Sequence, residues 1–273
     1  MVGNKAGKVG KCVALLFGVG IAIFPYLYMF IQSLAPWDKV DRVLIPASLT
    51  IRSYNYLLGG HGLSLPWLRA FLNSLIVSAS STILMVFTAS IVGYALSKLR
   101  FKGRNTVNNF ILFHMFFPSI MLLVPSFLLI RFMGLYNTYG AMILPKAVSA
   151  WAIFMYVSFF KTIPQEMIDA ARVDGASELN IIFKIILPMS KSITTVIFLF
   201  LFMARWEELL WDLVVVSDYK MMTLNVLIAT MQGPYAQYPG ALYAAATLLS
   251  FPLLLIFLVF SRNFSKGFGL TLK

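Results

Sequence analysis

Asp169 to Pro188 reads DAARVDGASELNIIFKIILP. It mixes acids, bases, a glycine and a closing proline, yet it stands between two of the most apolar parts of the chain. The 273 residues are 60% hydrophobic and 12% charged, too apolar for a soluble domain of this length. Working outward, the uncharged runs include Cys12 to Ile31, Asn73 to Ser97 and Asn105 to Ile130. Each exceeds the roughly 18–20 residues that cross a hydrocarbon core of about 30 Å. They are apolar on every face, as lipid-buried helices are, and do not alternate as porin strands do. The expectation is an all-α integral membrane protein.

Six spans are predicted, at about 12–34, 71–97, 107–131, 140–160, 191–216 and 240–261, forming one transmembrane domain over 1–273. Pro118 and Pro125 are expected to kink the third. Pro145 and Lys146 mark a bend early in the fourth. The first run is too long for a signal-peptide core, and no A-x-A cleavage site follows it. It therefore reads as an uncleaved span.

An even number of spans puts both termini on one side. On that side fall Lys5, Lys8 and Lys11; Lys98, Arg100, Lys102 and Arg104; Lys161, Arg172, Lys184 and Lys191; and Arg262, Lys266 and Lys273. These are 14 of the 22 Lys and Arg residues, so the positive-inside rule makes both termini cytoplasmic. The net charge of +12 then orients spans, and no nucleic-acid partner is expected. The opening stretch lies in a cytoplasmic loop, 161–190. The outer side carries loops at about 35–70 and 217–239. The second of these reads either as a re-entrant, gate-like element or as an ordinary interfacial loop.

Within the cytoplasmic loop, Thr162 can cap a helix, Pro164 suits its first turn and Gln165 can reach back as in a capping box. Glu166 and Asp169 favour the positive end of the helix dipole. Gly175 is placed to end the helix in the left-handed conformation. Ser177 can cap a second helix with Glu178 in its first turn. Leu179, Ile182, Phe183 and Ile186 follow at i, i+3, i+4 and i+7, one apolar stripe, until Pro188 breaks the pattern. From the residues alone, this pair of helices is either an amphipathic hairpin on the membrane or a docking device for a cytosolic partner. Ala170, Ala171 and the acids lean towards docking, since membrane-surface helices prefer Lys, Arg, Trp and Leu.

The stretch resembles the signature loop of ABC importer permeases, E-A-A, three residues, G, nine residues, I-x-L-P. Asp169-Ala170-Ala171, Gly175, Ile185, Leu187 and Pro188 match in register, with Asp169 where that family has Glu. WLRAFLNSLIVSAS (67–80), YALSKLRFKGRN (94–105), GLYNTYGAMILP (134–145) and IPQEMIDAARVDGAS (163–177) resemble the carbohydrate permeases of the maltose-importer type. RWEELLWDL (205–213) is similar to their S-W-N-[DE]-x-L-W-P-L, with Glu207 for Asn and Asp212 for Pro.

The resemblance implies a type I permease that pairs with a second permease, is driven by two cytosolic ATPase subunits, and receives a sugar or oligosaccharide from an external solute-binding protein. It implies a bacterial or archaeal cytoplasmic membrane. It assigns Glu166, Asp169, Ala170, Ala171, Asp174 and Gly175 to the ATPase contact. Leu179, Ile182, Phe183, Ile186 and Pro188 become the anchor to this subunit. The chain has no G-x-x-x-x-G-K-[ST]; the nearest stretch, GNKAGKV at 3–9, has the wrong spacing. ATP and Mg²⁺ are therefore expected in the partners, and no cofactor in this chain.

Span five is unusual in carrying Arg205, Glu207, Glu208 and Asp212. Arg205 falls about 20 Å from the span's cytoplasmic start. That is the outer third of the core; at the helix centre a charge costs roughly 2.5–3.5 kcal/mol, so several together should face protein or water and not lipid. As one helix, Arg205, Glu208 and Asp212 share a face. Trp206, Glu207, Glu208, Trp211 and Asp212 either line the outer pathway or brace a gate or subunit contact. An ion-coupled secondary transporter using these acids is the alternative function. His61 and His114 stand alone, and His114 reads as a core histidine. Arg131 is expected to snorkel outward.

Overall fold

The computed structural model describes the backbone of residues 5–58, 66–230 and 238–268, with side chains at 10–58, 66–230 and 238–258. His61, residues 231–237 of the second outer loop, and the side chains of Lys5, Lys8, Arg262, Lys266 and Lys273 lie outside these residues. Every regular element among them is helical. Lipid offers the backbone no hydrogen bonds, so each apolar segment must satisfy its own.

Three helices are each long and apolar enough to cross a membrane: α1 (Lys5–Ser33) from Gly10 onward, α3 (Trp67–Lys98), and α14 (Pro239–Phe268) as far as Leu258. The short α2 (Arg52–Leu58) lies between the first two. Three bent pairs bring the number of candidate spans to six.

The first pair is α4 (Arg104–Met115) followed by a 3-10 turn, Ser119–Leu122, and α5 (Leu123–Phe132), bent by 97°. The expected kinked span at 107–131 is thus a broken one. Pro118 sits extended at the break, while Pro125 lies in the first turn of α5, where its missing N–H goes unneeded. The second pair joins α6 (Tyr139–Ile143), with the turn Leu144–Lys146, to α7 (Ala150–Phe160) at 41°. Pro145 lies in that turn, and Ser149 caps α7 by accepting from Ala152 N.

The third pair follows α8 (Gln165–Val173) in the 161–190 loop. It holds α9 (Glu178–Ile181), a π-helical turn Ile182–Ile186 and α10 (Leu187–Met189), then bends by 88° into α11 (Lys191–Trp206). The predicted single helix at 191–216 is corrected: α11 stops at Trp206, and α12 (Leu210–Val215) follows after a break. The last short helix is α13 (Leu224–Thr230).

The chain divides into two compact units, 1–68 with 227–252 and 69–226 with 253–273. In the first, buried Gln32 gathers the loop after α1, donating to Val43 O at 2.8 Å and accepting from Asp41 N at 3.0 Å. The second holds the core around the 161–190 loop. Tyr94, Tyr156, Phe160, Ile168, Ile181, Ile186 and Ile197 are all buried there. Gly93 lets α3 meet α7 closely, because a Cβ there would stand 2.6 Å from Tyr156 Cβ. Ser74, Ser78, Ser81 and Ser90 are likewise buried on α3, the small-residue packing that joins helices where lipid removes the hydrophobic drive.

Candidate functional site

The 161–190 loop forms its first helix from Gln165, with extended Pro164 at the N-cap. Thr162, expected to cap, instead donates to Phe159 O at 2.7 Å. Gln165 does not reach back: its Nε2 donates forward to Asp169 Oδ1 at 3.1 Å. The root of the loop is held by Lys98 Nζ, which donates to Ile163 O.

The helix has two faces. Ile168 and Ala171 are buried in the core, whereas Glu166, Asp169, Ala170 and Asp174 are exposed. Ala171 therefore cannot belong to an outward contact surface as the sequence reading had it. The three-residue spacing from Ile168 puts it on the inner stripe.

Gly175 takes φ +80° and ends the helix as expected. Its N donates to Arg172 O at 3.0 Å, and Ala176 N donates to Ala171 O at 2.9 Å, the two bonds of a Schellman stop. Ser177 caps the next helix, accepting from Asn180 N.

Arg172 spans the reversal. It bonds Asp169 Oδ1 at 3.0 Å through Nη1 and Glu178 Oε1 at 2.9 Å through Nε. Glu178 also accepts from Tyr94 OH on α3. The Arg172 hydrogen bond holds the Glu178 carboxyl below the usual carboxylate range, although desolvation acts the other way. Sequence periodicity missed this clasp, because a glycine turn separates its partners.

The predicted anchor stripe is partly displaced. Ile182 and Ile186 are buried, and Phe183 stacks on Phe87 at 5.6 Å. Leu179 is 58% exposed, and Pro188 is also exposed, next to the bend. The π turn is the reason: its i→i+5 bonding puts residues five apart on one face. Ile181 and Ile186 are both fully buried.

The second locus is the break after α11. Arg205 and Asp212, 4% and 1% exposed, pair at 2.7 Å. Arg205 also donates to Met142 O at 3.1 Å and Ser81 Oγ at 3.4 Å. Glu208 leaves the expected shared face and pairs with Lys146 at 2.9 Å. Of the three acids after Arg205, Asp212 is thus met by Arg205 and Glu208 by a cation from the preceding pair.

Trp206 is buried against Phe202 and Phe71, both at 5.8 Å. It and Asp212 are packing and locking groups, not lining ones. Glu207 is exposed, and its carbonyl accepts from Asn225 at 2.7 Å. Glu208 and Trp211, with His114, Ser119, Ser126 and Lys146, help line a cavity of about 360 Å³. His114 is exposed to this space and is not a core histidine. Arg131 lies 4.7 Å over the Tyr136 ring.

Asn73 pins the following loop, donating to Lys220 O and Met222 O, each at 2.9 Å, while Ser74 Oγ accepts from Leu224 N. Among the described residues no group of His, Cys, Asp and Glu converges as a metal site.

The family model for the inner membrane component of binding-protein-dependent transport systems matches residues 85–269, spanning both loci. The chain belongs to this family.

This permease is 33% identical over 260 residues to the arabinooligosaccharides transport system permease protein AraQ of Halalkalibacterium halodurans, covering 93% of this chain and 92% of that one. It is 31% identical to the trehalose/maltose transport system permease protein MalG of Thermococcus litoralis, covering 93% and 92%. Its fold matches a chain in the crystal structure of a bacterial ABC transporter involved in the import of the acidic polysaccharide alginate. The TM-score is 0.80 at 23% identity, over 96% of this chain and 98% of that one. The permease is an ABC importer subunit, and the ion-coupled alternative falls. The family member is a permease component, not an ATPase.

Proposed function

We propose that this permease forms half of the pathway for a sugar or oligosaccharide, with a homologous second permease as the other half. A binding protein delivers the solute from outside. Two ATPase subunits, which hold ATP and Mg²⁺, grip the 161–190 loop from the cytosol, where both termini also lie. The names of the relatives support the carbohydrate class.

One observation carries the coupling role: the first loop helix keeps a polar face exposed while its inner face is rooted in the core. Glu166, Asp169, Ala170 and Asp174 face outward beside Gly175, and this is the surface for the ATPase. Ala171 belongs to the root. Force on the exposed face passes through Arg172 and Glu178 to Tyr94 on α3, and through buried Ile181, Ile182 and Ile186 to α11. A packed core transmits such a shift as a rigid-body movement.

Lys146, Glu208 and Trp211 line the pathway, and Arg205 with Asp212 braces it. Transport by the reconstituted importer tests the coupling role. Asp169→Arg is expected to abolish transport and binding-protein-stimulated ATP hydrolysis while the two permeases still associate. Normal transport by that variant would refute the assignment.

A further inference from the structure

One cavity in the second unit is not explained by coupling alone. About 840 Å³ in volume, it lies between the end of α3, the start of α4 and the first loop helix. That size is within the range of small-molecule sites, roughly 300–1,000 Å³. Four cations line it, Lys98, Arg100, Arg104 and Arg172, against one carboxylate, Asp169.

Much of that charge already has local bonds. Lys98 serves Ile163 O, Arg104 donates to Leu99 O at 3.2 Å, and Arg172 holds Asp169 and Glu178. The formal surplus remains, and exposed Arg100 and Lys102 have no acid partner among the described residues. An unbalanced set of cations around a cavity attracts an anion.

Position selects which anion. The cavity sits where one membrane helix ends, at Lys98, and the next begins, at Arg104, which is the headgroup level. Phe101, 44% exposed, stands between Arg100 and Lys102, an aromatic flanked by cations, as at a membrane interface. The adjoining helix α4 buries none of its side chains and exposes Val107, Phe110 and Phe113. Acyl chains could therefore run along α4 from a phosphate held in the cavity. Basic pockets of this kind on the cytoplasmic side take anionic headgroups.

We propose that this cavity binds the phosphate headgroup of an anionic phospholipid, which then touches the coupling helix through Gln165 and Arg172. The proposal rests on the cytoplasmic placement of the 161–190 loop. Through it, the charge of the inner leaflet would bias how firmly the loop is set for the ATPase.

The test uses the full importer in bilayer nanodiscs of phosphatidylcholine alone or mixed with phosphatidylglycerol. Phosphatidylglycerol retained per transporter after detergent extraction is counted by native mass spectrometry. Arg100→Gln combined with Arg104→Gln, both lining the cavity, should weaken retention roughly 30-fold, at about fivefold per cation. It should also remove the phosphatidylglycerol-dependent part of ATPase stimulation. Lys161→Gln with Lys184→Gln, on the same side but outside the cavity, should change neither.

Equal loss in both pairs would reduce the effect to general surface attraction and overturn the site. Unchanged retention would overturn it too, and weaker ATPase affinity alongside would give the cavity to an acidic protein group. A free phosphate shares the headgroup's chemistry. Inorganic phosphate binding to the importer in phosphatidylcholine nanodiscs, lost in the Arg100/Arg104 variant, would assign the site to a soluble anion instead. Lipid retention can be measured without the ATPase, so failure of the coupling reading through Asp169→Arg is seen separately.

Discussion

Arg205 and Asp212 are seven residues apart yet meet at 2.7 Å. An unbroken helix would hold them about 10 Å apart along its axis. The break at 207–209 brings them together, and Met142 O and Ser81 complete the partners of the guanidinium. Removing one partner of such a buried pair leaves an uncompensated charge, at a cost of about 3–5 kcal/mol. Asp212→Asn should lower the melting temperature of the purified permease sharply. Arg205→Met with Asp212→Leu should recover most of the loss. An Asp212→Asn melt like the parent's would show that the pair is not a lock.

Lys146 and Glu208 are paired too, but beside a cavity and partly open. Glu208→Gln should leave the melt within about 1 kcal/mol of the parent, as for partly exposed pairs, while slowing transport. The reversed pair, Lys146→Glu with Glu208→Lys, should restore part of the rate. Transport assays in proteoliposomes, set beside the melts, separate these outcomes.

Gly175 holds φ +80°, and a Cβ there would meet nothing within 4 Å. Its requirement is therefore conformational and not one of space. Gly175→Ala should cost about 1–2 kcal/mol of local stability, and Gly175→Asn less. Faster hydrogen exchange at Asp174 to Ser177 in the alanine variant is the measurement. Equal exchange in all three proteins would contradict the left-handed stop.

Gly93 poses the opposite case. Its added Cβ would fall 2.6 Å from Tyr156 Cβ, so Gly93→Ala should destabilise by about 1–3 kcal/mol through overpacking. A melt of that variant against Gly10→Ala, where space is open, isolates the contact.

The Glu178 carboxyl is held below its usual range, chiefly by Arg172. A group whose folded-state value is depressed contributes stability above its unfolded value and loses it as pH falls through the folded one. The clasp should therefore hold at neutral pH and loosen under acid, below the ordinary carboxylate range. Glu178→Gln should flatten that acid limb of the melting curve. An unchanged limb would mean that the pair contributes nothing to the loop.

Local chemistry made much of this protein legible. Apolar runs had to be helices, because in lipid the backbone can bond only to itself. Gly175 and the Ser177 cap were readable because both act within a few residues. What the residues could not reveal lies where helices stop. The break after Trp206, the π turn at Ile182 and the partners Arg205–Asp212, Lys146–Glu208 and Arg172–Glu178–Tyr94 each join segments that no helical period relates. Periodic reading carried α11 through to 216 and put Leu179 on the buried stripe, while the family resemblance put Ala171, which is buried, on the outer face. Composition determined that the chain crosses a membrane and where its polar loop emerges. Only tertiary packing, by desolvating each charge against a particular neighbour, decided which of them meet.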